Sequence, residues 1–153
     1  MYAHVPVPCG LSPARAAAAR EVERTGGLLL APRPDRASVA EIRTASPRYR
    51  WAAATVGGER AAGYQLASGR PVMAIGGFNG TDPVPTLAAF EGYVRSGAVR
   101  WFLVAGPPLW APATAAPPAA PAPASDARAI TAWVEARFPA RRVGYVTFYD
   151  LGR

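Results

Sequence analysis

VRWFLVA, residues 99–105, is an almost unbroken apolar run with no polar alternation along it. A run that short and that apolar fits a strand covered on both faces, as in a parallel sheet, better than a surface helix. Upstream, PVMAIG (71–76) is a second short apolar run, followed by a Gly-rich turn, and RWAAATV (50–56) reads as a third. Helical patterns lie between them. Gly57-Gly58 turns into a helix predicted over 59–68, and Asp82-Pro83 has the cap-then-proline chemistry of a helix start. The helix from Pro83 presents Leu87, Phe90 and Val94 on one face and ends at Gly97. Farther upstream, Ser38 and Glu41 have capping-box spacing ahead of Pro47.

Downstream, the Pro/Ala-rich segment 107–124 cannot supply ladder hydrogen bonds and reads as a loop. Ser125-Asp126 then opens a helix carrying Ile130, Trp133, Val134 and Phe138, stopped by Pro139, and RVGYVTFYDL (142–151) reads as one last strand. Parallel neighbours need crossovers, so the expected class is α/β: a Rossmann-like three-layer sandwich with a mainly parallel sheet of four or five strands. The expected organisation is a lead-in or linker over 1–25 and a single α/β domain over 26–153. Within the lead-in Ser12-Pro13 can cap a helix through Arg24, and just after it Leu28–Leu30 is a short strand or an extended approach.

At 153 residues, half of them apolar and 18% charged, the chain is long enough to bury one core. The formal charge of +7 raises polyanions as partners, but every basic residue is Arg and the arginines are dispersed, with only Arg141-Arg142 adjacent. No basic stripe interleaved with aromatics appears, so a nucleic-acid partner is not expected. One Cys and one His, Cys9 and His4, leave no cysteine framework and little room for His-based metal or triad chemistry; no cofactor, metal or catalytic residue is expected. No apolar stretch reaches membrane-spanning length, and residues 1–10 lack the charged-then-apolar order of a secretory signal.

The most distinctive segment is Gly76-Gly77-Phe78-Asn79-Gly80-Thr81-Asp82-Pro83, between a strand end and a helix start. Open α/β sheets place ligands there, because loop amides and the helix dipole converge. Gly57 and Gly58 follow the neighbouring strand and should open on the same edge. The candidate ligand-binding residues are therefore Gly57, Gly58, Gly76, Gly77, Phe78, Asn79, Gly80, Thr81 and Asp82, with Phe78 and Asn79 as first contacts for a sugar. The plainer reading is a strand-to-helix turn in which Asp82 caps the helix beginning at Pro83. GGFNGTD matches neither the dinucleotide fingerprint nor a P-loop. Trp51, Trp101 and Trp133 read as core or core-edge, Tyr64 and Gln65 as helix-surface packing, and Trp110 as a loop aromatic that either stacks on a sugar or pins the loop.

Several segments in order carry a resemblance: Gly26-Gly27-Leu28-Leu29, the run from Trp51 to Gly106, the low-complexity loop, ITAWVEARF (130–138) and TFYDL (147–151). This set resembles the C-terminal domain of polytopic membrane glycosyltransferases from high-GC bacteria, relatives of protein mannosyltransferases and aminoarabinose transferases. The loop at 107–124 departs from the family's Gly/Ser-rich version in composition only. The resemblance implies an extracytoplasmic accessory domain of a polyprenyl-phosphate-sugar-dependent enzyme, partnered by its transmembrane part and positioning an acceptor or glycan. The family's catalytic carboxylate lies in the membrane part, so Asp82, Glu91 and Asp150 are not assigned that role. The competing expectation is a free-standing small α/β enzyme or binding protein for a phosphorylated or nucleotide ligand.

Overall fold

The computed structural model describes residues 34–78, 80–105 and 125–152. The expectations for the lead-in, His4, Cys9, Leu28–Leu30, Asn79, Trp110 and the 107–124 loop lie outside those residues.

Helix α1, Arg36–Arg43, is capped by Asp35, whose carboxylate accepts from Ser38 N at 2.9 Å. The cap therefore lies three residues before the serine the sequence suggested. Ser38 is fully buried, its hydroxyl between Asp35 Oδ2 and the Val143 carbonyl, 2.6 and 3.1 Å away. A buried hydroxyl needs such partners, and these tie α1 to the far end of the chain.

Strand β1, Trp51–Val56, is built on Ala52, Ala53 and Ala54, all fully buried. Their small side chains let helices approach both faces of this interior strand. Helix α2, Gly58–Ser68, ends at Gly69, whose φ of 68° is the left-handed stop that glycine supplies cheaply. Gln65 accepts from Val72 N at 3.1 Å, pinning α2 to strand β2, Val72–Ile75, while Tyr64 turns inward and is buried.

Helix α3, Leu87–Arg95, starts later than the sequence suggested. Its cap is Thr86, which accepts from Ala89 N, so Asp82 caps nothing at Pro83. The reason lies in the loop: Gly76 N donates to the Val84 carbonyl at 2.8 Å, which holds residue 84 in the turn and delays the helix. Phe90 and Val94 are buried as expected. Strand β3, Val99–Ala105, has the expected bounds. Helix α4, Asp126–Arg137, is capped by Ser125, and Asp126 reaches across to accept from Leu87 N at 3.0 Å.

The expected single last strand is two. Strands β4, Ala140–Val143, and β5, Val146–Asp150, form a hairpin turned at Gly144, φ 58°. The sheet order is β2-β1-β3-β5-β4. β2, β1 and β3 are parallel, β5 joins β3 antiparallel with Leu103 opposite Phe148, and β4 closes the edge antiparallel. The chain is thus α/β with an open mixed sheet of five strands, half of its pairings antiparallel, rather than mainly parallel.

Two cores share this sheet. Trp101, Leu103, Val146 and Phe148 pack with Ile42 of α1 and with Ala61 and Tyr64 of α2. Phe102, Tyr149, Phe90 and Val94 pack with Ile130 and Val134 of α4. Trp101 is a core residue, and Trp51 and Trp133 sit partly buried against the second core.

Candidate functional site

β1 and β2 end side by side, with Val56 opposite Ile75, so the two Gly-Gly turns emerge together. Gly57 N donates to the Ile75 carbonyl at 2.9 Å and Gly58 N to the Gly77 carbonyl at 2.8 Å. Gly57, Gly76, Gly77 and Gly80 all have positive φ, the region where side chains are strained. The packing is close enough to require glycine on spatial grounds as well: a Cβ on Gly76 would stand 2.5 Å from the Gly80 backbone. Asp82 N donates back to the Gly76 carbonyl, and the Asp82 carboxylate occupies the space into which a Gly77 side chain would project.

The structure therefore brings Gly57, Gly58, Gly76, Gly77, Phe78, Gly80 and Asp82 together, with Thr81 exposed in the same loop. The amides of Gly57, Gly58, Gly76 and Asp82 already have backbone acceptors, so they hold the loop closed on itself. What stays open is a cleft of about 260 Å³ lined by Val56, Gly57, Glu59, Arg60 and Phe78. Phe78 is 59% exposed, a large apolar face offered to solvent. Glu59 lies in the first turn of α2, where the helix dipole favours a carboxylate, and its Oε1 is buried with no partner among the described residues. A flat ring beside a carboxylate and a guanidinium can hold a small polar ligand. Sequence reasoning passed over Glu59 and Arg60, although both directly follow the Gly57-Gly58 turn that it singled out.

A second, larger cleft of about 500 Å³ lies at the opposite end of the parallel strands. Glu41 and Thr44 come from α1 and its cap, Arg100 and Trp101 from the start of β3, Arg141 from β4 and Asp150 from the end of β5. Arg100 pairs with Asp150, and Arg141 pairs with Glu41. Both guanidiniums also lie over the Trp101 ring, 4.1 and 5.4 Å from its centroid, a favourable arrangement for a cation on an aromatic face. Trp101 is 4% exposed, yet its Nε1 has no acceptor among the described residues. A buried donor left unpaired costs about 1–3 kcal/mol. Only the adjacency of Arg100 to Trp101 is visible locally; the ion pairs join residues 50 and 100 positions apart.

Burial pushes the Tyr64 phenol up to about 12, helped by Asp35 and opposed by Arg60. Burial likewise raises Tyr149, with Glu135 adding to it. Among the described residues no group of His, Cys, Asp and Glu is arranged to hold a metal ion, and no helix is long and apolar enough to cross a membrane.

Comparison with known proteins places these features in a family. Residues 39–137 match the family described as "Putative mannosyltransferase YkcB-like, C-terminal". The chain belongs to this family. Among its relatives is "Putative mannosyltransferase YkcB" of Bacillus subtilis (strain 168), 43% identical over 53 residues, which are 35% of this chain and 7% of that protein. "Putative mannosyltransferase YycA" of the same organism is 32% identical over 79 residues, 52% of this chain and 12% of that protein. The matches thus span a small part of the length of these relatives, and no solved structure matches the chain. In this YkcB-like C-terminal domain the family match runs from α1 to the end of α4. It includes the strand-end cleft and, of the second cleft, Glu41, Thr44, Arg100 and Trp101, while Arg141 and Asp150 lie beyond it.

Proposed function

We propose that this domain is the extracytoplasmic accessory part of a polyprenyl-phosphate-sugar-dependent membrane glycosyltransferase of mannosyltransferase type. It packs on the transmembrane part of its parent and positions acceptor or glycan, with no turnover of its own. The observation that carries this reading is the match to a C-terminal family of mannosyltransferase-like proteins by a chain that spans little of its relatives' length. The strand-end cleft supports a role in holding rather than transforming a ligand. Its exposed ring at Phe78 and its polar neighbours Glu59 and Arg60 suit a sugar, and its lining carries one carboxylate, Glu59, where a glycoside-cleaving site requires a pair. The competing reading, a binding protein for a phosphorylated ligand, needs loop amides free to donate, and those of Gly57, Gly58 and Gly76 are committed to carbonyls.

The test uses the full-length parent in membranes, supplied with polyprenyl-phosphate mannose and an acceptor glycan. Removing this domain, or substituting Phe78→Ala, should raise KM for the acceptor several-fold with a smaller change in kcat, and the isolated domain should show no transfer. Unchanged KM and kcat without the domain, or turnover by the domain itself, would refute the reading.

A further inference from the structure

We infer that the cleft between α1 and the β3-β5-β4 side of the sheet is a binding site for a neutral saccharide, separate from the strand-end turns. The proposal rests on the reading that this domain handles glycan, and names where and by what chemistry. Four charged side chains from four elements converge there: Glu41 from α1, Arg100 from β3, Arg141 from β4 and Asp150 from β5. Their charges cancel. A phosphate or carboxylate would have to compete with Asp150 and Glu41 for the same guanidiniums, whereas a hydroxyl needs no such exchange. It accepts from an arginine N–H and donates to the paired carboxylate, and adjacent ring hydroxyls present that alternation repeatedly.

The arginines are suited to the task because each guanidinium has five N–H donors and uses only some of them in its ion pair. Their contact with the Trp101 ring and their ion pairs restrain both guanidiniums, so less freedom is lost when a ligand binds. Thr44, also on the wall, donates its hydroxyl to the Glu41 carbonyl at 2.6 Å and leaves its oxygen free to accept from a ligand hydroxyl. The cleft volume of about 500 Å³ lies within the range of small-molecule sites, and its open form suits part of a longer chain rather than an engulfed monomer. Trp101 supplies a reporter, since it lines the cleft and its buried indole N–H has no partner among the described residues.

The experiment titrates this chain with mannotriose, and separately with mannose 6-phosphate, following indole N–H resonances by NMR, with Trp101→Phe used for assignment. Mannotriose should shift the Trp101 indole. Arg141→Gln and Glu41→Gln, whose side chains are 53% and 20% exposed, should each weaken binding by roughly tenfold, the scale of one charge-assisted hydrogen bond, while Leu66→Ala, at an exposed position that lines neither cleft, leaves it unchanged. Tighter binding of the phosphorylated sugar, lost with Arg141→Gln, would overturn the proposal in favour of an anion site. So would a Trp101 indole that mannotriose leaves unmoved. Binding lost in Phe78→Ala and kept in the cleft variants would overturn this site while leaving the proposed function standing. Altered acceptor use by the parent without this domain reports on the function independently of this cleft.

Discussion

At Gly76 two demands coincide: a positive φ of 76° and a backbone neighbour at 2.5 Å from where a side chain would begin. Gly69 meets only the first, with φ of 68° and nothing within 4 Å. The two positions separate conformational cost from lack of space. Gly69→Ala should lower stability by about 1 kcal/mol, the left-handed penalty of a side chain. Gly76→Ala should cost at least about 3 kcal/mol, because relief of the clash must also break the Gly76–Val84 and Asp82–Gly76 hydrogen bonds that close the loop. Urea unfolding of the two variants checks the order, and equal losses would show that the loop gives way freely. Tyr64 makes a pH-dependent contribution. Its phenol holds a proton more tightly folded, at about 12, than unfolded, at 10.0. That contribution is present in full below pH 10 and is lost as pH rises toward 12, amounting to about 3 kcal/mol. Tyr64→Phe should therefore flatten the fall in stability between pH 10 and 12, as read by denaturation at stepped pH, and an unchanged alkaline limb would remove Tyr64 from the account.

At the scale of elements, the start of α3 is decided by Thr86 and by a borrowed acceptor, Asp126 of α4. Thr86→Ala should cost about 1 kcal/mol, the usual loss of an N-cap, whereas Asp82→Ala should stay within about 0.5 kcal/mol. Thermal melts of both variants decide between the two caps. The sequence misplaced this start because Asp82-Pro83 has cap chemistry of its own, and nothing local reveals that the loop keeps residue 84 hydrogen-bonded to Gly76. Ser125 gave the start of α4 correctly because its cap is local, accepting from Arg128 N three residues on. Strand β3 was legible because burial on both faces leaves an apolar run that no turn residue interrupts. The hairpin was not, since β4 is an edge strand rich in Arg, with three of its four residues exposed and no burial pattern to report it. The strand-end turns were legible as neighbours because parallel strands release their loops on one edge. The ion-paired cleft was invisible, because its partners meet only after β5 inserts between β3 and β4.

At the scale of the molecule, the sheet is a shared wall. Trp101 and Leu103 of β3 face the α1/α2 core, Phe102 between them faces the α3/α4 core, and β5 divides in the same way between Phe148 and Tyr149. Neither core can therefore lose its wall without exposing the back of the other, which predicts one cooperative unfolding transition. Phe148 and Phe90 are both fully buried, one on each side. Phe148→Ala and Phe90→Ala should each cost about 3–5 kcal/mol by lost burial and cavity formation. In each variant the indole resonances of Trp101, on the first side, and Trp133, against the second, should still disappear at the same urea midpoint. Separate midpoints would show that the helical layers unfold independently and that the mixed sheet does not couple them. Coincidence would also bear on the two clefts. They sit at opposite ends of one cooperative unit, so a ligand that binds only the folded state at either end should raise the shared midpoint for both indoles equally.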